Sequence, residues 1–150
     1  MKPNPPLTIL LADDDRDHGI LFGHILKDVD ASIKLSIVYN GQDLLHFLSE
    51  HPVDLVFLDL KMPCKNGHEC LKDIRNNEKL KDLPVIMYSS SAYMSDIRKA
   101  FVHQADFYMV KPFSADHLRN ALVSILSIDW KKPVLKRHYF INNRFVPYTA

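Results

Sequence analysis

Apolar runs of strand length alternate with stretches of helical period along this chain, five of each in unbroken order. Parallel strands need a long crossover between them, usually a helix, so the pattern reads as repeated βα units on a parallel sheet. Leu7 to Ala12 is the first run, after which His18, Leu21, Phe22, Ile25, Leu26 and Val29 recur on one helical face. Asp15 stands where a helix N-cap belongs, and Asp17 suits the first turn by its charge. Ile33 to Tyr39 is the second strand, and Asn40-Gly41 turns the chain into a short helix buried through Leu44, Leu45 and Leu48. Val53 to Leu58 is a buried central strand; Pro63 follows it, and Gly67 opens a helix carrying Cys70, Leu71 and Ile74. A polar loop, Asn76 to Leu83, leads to the strand Val85 to Tyr88 and then to a stripe of Met94, Ile97, Ala100 and Phe101. Asp106 to Val110 is the fifth strand, and Ser114 caps a last helix whose Leu118, Ala121, Leu122, Ile125 and Leu126 face inward. The expected fold is a doubly wound α/β domain with helices on both faces.

In such folds ligands bind at the carboxyl ends of the strands, where the strand order reverses. The first strand ends in Asp13-Asp14-Asp15, the third in Asp59, the fourth in Ser89 and the fifth in Lys111. With a sheet order of 2-1-3-4-5, strands one and three are neighbours and their carboxylates share one crevice. Converging carboxylates raise each other's pKa, a hard divalent cation relieves the repulsion, and a partly hydrated oxygen-only site favours Mg²⁺. Lys111 and Ser89, across the crevice, suit the oxygens of an anion. Asp59 is then a nucleophile toward phosphorus, forming an acyl phosphate whose developing charge the metal and lysine stabilise. Taken singly, an Asp after a strand is usually a turn or cap, and a Lys-Pro or a serine triplet is usually a loop. Four such residues at the ends of the correct strands are a different matter.

Length and charge narrow the alternatives. The chain has 150 residues with 47% apolar, which suits one domain with a real core. Its 19 basic and 18 acidic residues leave a net charge of +1, unlike a general nucleic-acid binder or an acidic disordered segment. No apolar run approaches a membrane span, MKPNPP lacks a signal-peptide layout, and two cysteines fit a reducing compartment, so a cytoplasmic location is expected.

The segments Ile9 to Asp15, Val53 to Pro63 with Gly67, Leu83 to Ser89 and Tyr108 to Phe113 resemble the receiver domain of two-component response regulators. The resemblance spans about residues 6–128, in family order and spacing. It implies a flavodoxin-like fold, with Asp59 as the phosphoacceptor. Asp13 and Asp14 take the place of the acidic pair that binds Mg²⁺, Asp14 directly and Asp13 through water. Lys61 takes the place whose backbone carbonyl completes the metal site. Ser89 resembles the hydroxyl that reorients to the phosphoryl group, Tyr108 the aromatic switch, and Lys111 the phosphate-contacting lysine. A cis bond before Pro112 is also implied. Two positions depart from the family. Gln104-Ala105 stands where Gly-Ala is usual, so the fourth helix needs another C-cap or bears strain. Asn66 replaces a common Asp before the glycine.

The function this implies is a phosphorylation-controlled signalling module that catalyses only its own phosphoryl transfer and dephosphorylation. Its partners would be a histidine kinase or phosphotransfer protein and a downstream protein target, with a homodimer open; no DNA-binding domain and no membrane association are expected. A docking module that had lost its switch would not need Asp13, Asp14, Asp59, Ser89 and Lys111. An aspartyl phosphatase would want a second Asp two residues after the nucleophile, where Lys61 stands. A flavodoxin's phosphate loop would sit where Asp13 to Asp17 is acidic. The eight histidines, His18, His24 and His103 among them, show no metal-ligand spacing, and Cys64 and Cys70 suggest no zinc or redox site.

Composition shifts near residue 129, which divides the chain into a receiver, 1–128, and a tail, 129–150. Residues 1–128 carry 14 basic against 17 acidic residues; beyond them lie Lys131, Lys132, Lys136, Arg137 and Arg144 against Asp129 alone. Arg137 to Ile141 and Arg144 to Pro147 are β-rich and flank Asn142-Asn143, so the tail reads as a β-hairpin docking on the receiver or on a second copy. Its basic residues would meet the acidic body.

Overall fold

The apolar runs form five parallel strands of one sheet. β1 (Thr8–Ala12), β2 (Lys34–Val38), β3 (Leu55–Leu58), β4 (Val85–Ser89) and β5 (Phe107–Val110) pair in parallel in the order β2-β1-β3-β4-β5. Between and after them run α1 (Arg16–Val29), α2 (Gly41–Glu50), α3 (Gly67–Arg75), α4 (Met94–Val102) and α5 (Ala115–Leu126). This computed structural model describes residues 7–130, 138–142 and 144–149.

Strand pleating sorts the core into two layers, because successive side chains point to opposite faces. Leu10, Ala12, Val56, Leu58, Met87 and Tyr108 pack with Leu44 of α2, Ile74 of α3 and Ile97 of α4. Ile9, Leu11, Phe57, Ile86, Tyr88 and Phe107 face the other way, onto Phe22 and Ile25 of α1 and Leu118 and Leu122 of α5. With both faces covered, β3 is buried at every position, which explains why its sequence shows no polar alternation. Among the described residues no helix is long and apolar enough to cross a membrane.

Side-chain caps set where the helices begin. Asp15 accepts from the His18 amide, Asn40 from Asp43 and Ser114 from His117, each satisfying an orphan first-turn donor. Asn66 does the same for α3 and is itself met by Glu69, so the Asn-for-Asp departure completes a capping box. At the end of α4, Gln104 adopts φ 69°, the left-handed conformation in which glycine is at ease. Ala105 N–H then bonds back to Ala100 O at 3.0 Å and Gln104 N–H to Phe101 O at 3.1 Å. The cap is therefore made without glycine, at the expense of a strained side-chain residue.

Two further strands extend the sheet past the five expected. β6 (His138–Ile141) pairs in parallel with β5, placing Tyr139 beside Tyr108, and β7 (Arg144–Pro147) returns antiparallel to β6. Asn142 supplies the positive φ, 50°, at the turn; Asn143 lies outside the described residues. The hairpin docks on its own chain: Phe140 is buried, Phe145 meets Phe107 edge-on, and Tyr148 stacks on Phe101 of α4 at 4.8 Å. Trp130 packs on Phe107 and donates its indole N–H to Ile125 O at 3.1 Å. The expected meeting of Lys131, Lys132, Lys136 and Arg137 with the acidic body lies outside the described residues.

Candidate functional site

Ala12 of β1 pairs with Leu58 of β3, so the next residues, Asp13 and Asp59, emerge side by side at the carboxyl end of the sheet. Main-chain bonds hold both: Asp13 N–H donates to Val38 O and Asp59 N–H to Ala12 O, each at 3.0 Å. Both carboxylates are buried, whereas Asp14 is exposed. One oxygen from each of Asp13, Asp14 and Asp59 lies within 4.8 Å of the other two, a grouping that no other His, Cys, Asp or Glu trio matches among the described residues. Three hard oxygen donors, one of them open to solvent, fit a partly hydrated divalent cation. Asp15 stands outside this trio, because its side chain caps α1 while its amide donates to Asp13 Oδ1 at 3.0 Å.

Lys111 closes the crevice from β5. Its amide donates to Ser89 O at 2.7 Å, and its ammonium donates to Asp13 Oδ2 at 2.8 Å and to Asp59 Oδ2 at 3.0 Å. Burial pushes the Asp59 carboxyl above its ordinary pKa, with the nearby Lys111 charge pulling back only in part. Burial works against the Lys111 ammonium too, but its bonds to Asp13 and the charge of Asp59 outweigh this and raise its pKa. The site therefore holds a fixed cation against a carboxylate poorly solvated by water. The peptide bond before Pro112 is trans, not cis as the resemblance implied, and the ammonium reaches both carboxylates from that backbone.

The remaining expected residues fall around this centre. Lys61 points its side chain to solvent while its amide faces Asp59 Oδ1 at 3.4 Å, as suits a position acting through backbone. Ser89 is buried, and its hydroxyl accepts from the Ser91 amide at 3.1 Å. Tyr108 is fully buried and donates its hydroxyl to Ser91 O at 2.8 Å; burial raises its pKa, hydrogen bonding to Ser89 and Ser91 opposing this. Ser91 thus joins Ser89 to Tyr108, a role that a serine run did not disclose. Tyr88 and His18 were also missed. Tyr88 closes an apolar run and reads as core, while His18 sits on an amphipathic helix like any packing residue, yet the two bond at 2.7 Å beside Lys111.

Residues 9–123 match the family described as the response regulator receiver domain. The chain belongs to that family. Among relatives of this receiver, the transcriptional regulatory protein MalR of Bacillus subtilis is 34% identical over 116 residues. That match covers 77% of this chain and 48% of MalR, so the chain spans about half of that protein. The chemotaxis protein CheY-3 of Vibrio cholerae is 32% identical over 122 residues, covering 81% of this chain and 93% of CheY-3. Among solved structures, the Mn²⁺-bound form of response regulator Rcp1 superposes with a TM-score of 0.75 at 27% identity, over 87% of this chain and 99% of that one. The receiver thus serves as a phosphoacceptor in two-component signalling, a family that binds a divalent metal and works with a histidine kinase or phosphotransfer partner.

Proposed function

We propose that Asp59 is the phosphoacceptor and that Mg²⁺ is the metal, held by Asp13, Asp14, Asp59 and the backbone carbonyl of Lys61. The observation that carries this reading is the Lys111 ammonium bound to both Asp13 and Asp59 beside a trio of converging carboxylates. When bound, the cation neutralises the acidic pair and the oxygens of the transferred group. A carboxylate oxygen of Asp59 bonds to phosphorus as the phosphorus–nitrogen bond of a phosphohistidine breaks, and the departing imidazole takes up a proton. Lys111 then holds a phosphoryl oxygen by charge, in a site where burial makes that charge count for more than in water. Hydrolysis by water restores the Asp59 carboxylate and releases inorganic phosphate.

Ser89 turns its hydroxyl from the Ser91 amide toward the phosphoryl group, and the Ser91 carbonyl shifts with it. Because Tyr108 donates to that carbonyl, the movement reaches β5 and the hairpin strand paired with it. Output passes in the cytoplasm to a downstream protein through the face of α4, β5 and α5, with the β6–β7 hairpin as part of that surface. Incubating the protein with Mg²⁺ and acetyl phosphate, then measuring intact mass, tests the reading. One added phosphoryl group that Asp59→Asn abolishes is expected, and chelation with EDTA prevents it. An unchanged mass, under conditions that label another receiver, overturns it.

A further inference from the structure

Lys111 is held from above by its two carboxylates and bounded below by a tyrosine ring. Its ammonium lies 5.4 Å from the centroid of Tyr88, within range of a cation–π contact. Tyr88 is fully buried in the layer facing α1, edge-on to Phe22 at 5.6 Å and to Phe57 at 5.8 Å. Neither phenylalanine offers its hydroxyl anything. A buried hydroxyl takes a partner wherever it can, and here the partner is His18, whose Nε2 shares a hydrogen bond of 2.7 Å with it. The two rings lie 5.3 Å apart, tilted by 38°, His18 on the first turn of the helix that follows the acidic triplet and Tyr88 on β4. Burial, then the Lys111 charge, lowers the pKa of His18, which favours the neutral imidazole as the partner.

We propose that His18 and Tyr88 are a positioning pair for the Lys111 ammonium: phosphoryl transfer at Asp59 depends on the Tyr88 ring staying beneath Lys111, and His18 keeps it there by giving the buried hydroxyl its partner. The inference rests on the reading of Asp59 as phosphoacceptor. Neither residue touches the reacting atoms. His18 satisfies the Tyr88 hydroxyl, the satisfied hydroxyl fixes the ring, and the ring sets the floor under Lys111. Removing His18 alone leaves the hydroxyl orphaned, and the ring must move to find another partner, taking the floor with it. Removing both polar groups leaves nothing to satisfy, because replacing two partners by apolar groups of similar shape is close to neutral.

The test measures the initial rate of phosphorylation of the full chain by acetyl phosphate with Mg²⁺. His18→Leu is expected to slow it about tenfold or more, the scale on which small misplacements of a reacting group act. Tyr88→Phe keeps the ring and its rate stays near the wild type's. The double variant His18→Leu/Tyr88→Phe recovers that rate, although it lacks the hydrogen bond, and this rescue separates positioning from any direct action of the imidazole. The ¹H shift of the Lys111 ε-methylene is a second readout: ring current moves it in the wild type and the double variant, and His18→Leu changes it. If His18→Leu does not fold, His18→Gln replaces it; that amide can still meet the hydroxyl and should keep both rate and shift. Wild-type rates in His18→Leu, an unrescued double variant, or lost rate and shift in folded His18→Gln would each overturn the pair. Absence of label on the wild-type protein would instead refute the reading of Asp59.

Discussion

Gly67 packs so closely on Asp59 that a β-carbon there would overlap the Asp59 carbonyl oxygen and crowd the Leu60 backbone. The first residue of α3 therefore fixes the loop that carries the proposed phosphoacceptor, and Gly67 N–H adds a bond to Leu60 O at 2.9 Å. Backbone cannot swing aside as a flexible side chain can. Gly67→Ala is expected to destabilise the protein by about 1–3 kcal/mol, the range for overpacking, and to slow phosphorylation by displacing Asp59. Urea denaturation and the acetyl phosphate rate check the two effects; an unchanged stability would mean that the loop yields freely.

Gln104 pays a conformational cost at φ 69° that glycine would not. Its contacts at the cap run through main chain, including the carbonyl that accepts from Arg75 Nε at 2.9 Å, so removing the side chain breaks none of them. Gln104→Gly should therefore stabilise by about 1 kcal/mol despite the added freedom of the unfolded chain. For a chain of this size that corresponds to a rise of about 2–4 °C in Tm. A melting point at or below the wild type's would show that the left-handed cap carries no strain.

Much of this site is legible in the sequence because strand ends are where a doubly wound fold exposes polar groups. Asp13, Asp59, Ser89 and Lys111 each follow a run too apolar to be anything but buried strand, so order and burial already point them into one crevice. The hidden parts are those whose meaning depends on a partner distant in sequence. Tyr88 differs from a core phenylalanine only by a hydroxyl, and its partner His18 stands 70 residues away. Ser91 acts through its carbonyl, which no side-chain pattern reveals. The tail hairpin announces itself by Asn142 and its flanking aromatics, but its docking on β5 depends on pairing and packing that only the folded sheet defines.

His68 carries both ring nitrogens buried without a hydrogen-bond partner in the structure, with Asp96 Oδ1 4.0 Å from Nε2 and the His103 ring 6.1 Å away. Burial first, then Lys99, lowers its pKa from 6.5, while Asp96 pulls the other way. The unfolded chain thus takes up the proton more readily than the fold does. Stability from this group is present above its unfolded pKa and is lost as pH falls below about 6.5 toward the folded value. Urea denaturation at about pH 7.5 and about pH 5.5 should show that loss, and His68→Leu should reduce it. Equal pH dependence in the two proteins would remove His68 as a source.

Truncation after Ile128 removes Trp130 and Phe145 from Phe107, takes away the buried Phe140 paired with Met109, and leaves β5 as a bare edge. Losing several aromatic contacts is expected to cost at least about 3 kcal/mol, given about 1.5–3 kcal/mol for each large apolar side chain fully buried. Differential scanning calorimetry reads this as a lower melting temperature. An unchanged one would mean that the hairpin contributes no stability to the receiver.

The most direct test of the central claim is where the phosphoryl group goes. Borohydride reduces an aspartyl phosphate to homoserine, so phosphorylated protein can be reduced, digested and read by peptide mass spectrometry. Homoserine at position 59, appearing only with Mg²⁺ and phosphodonor, is the result expected. Homoserine at Asp13 or Asp14 with Asp59 untouched, or none in protein that has demonstrably gained phosphate, would contradict the account.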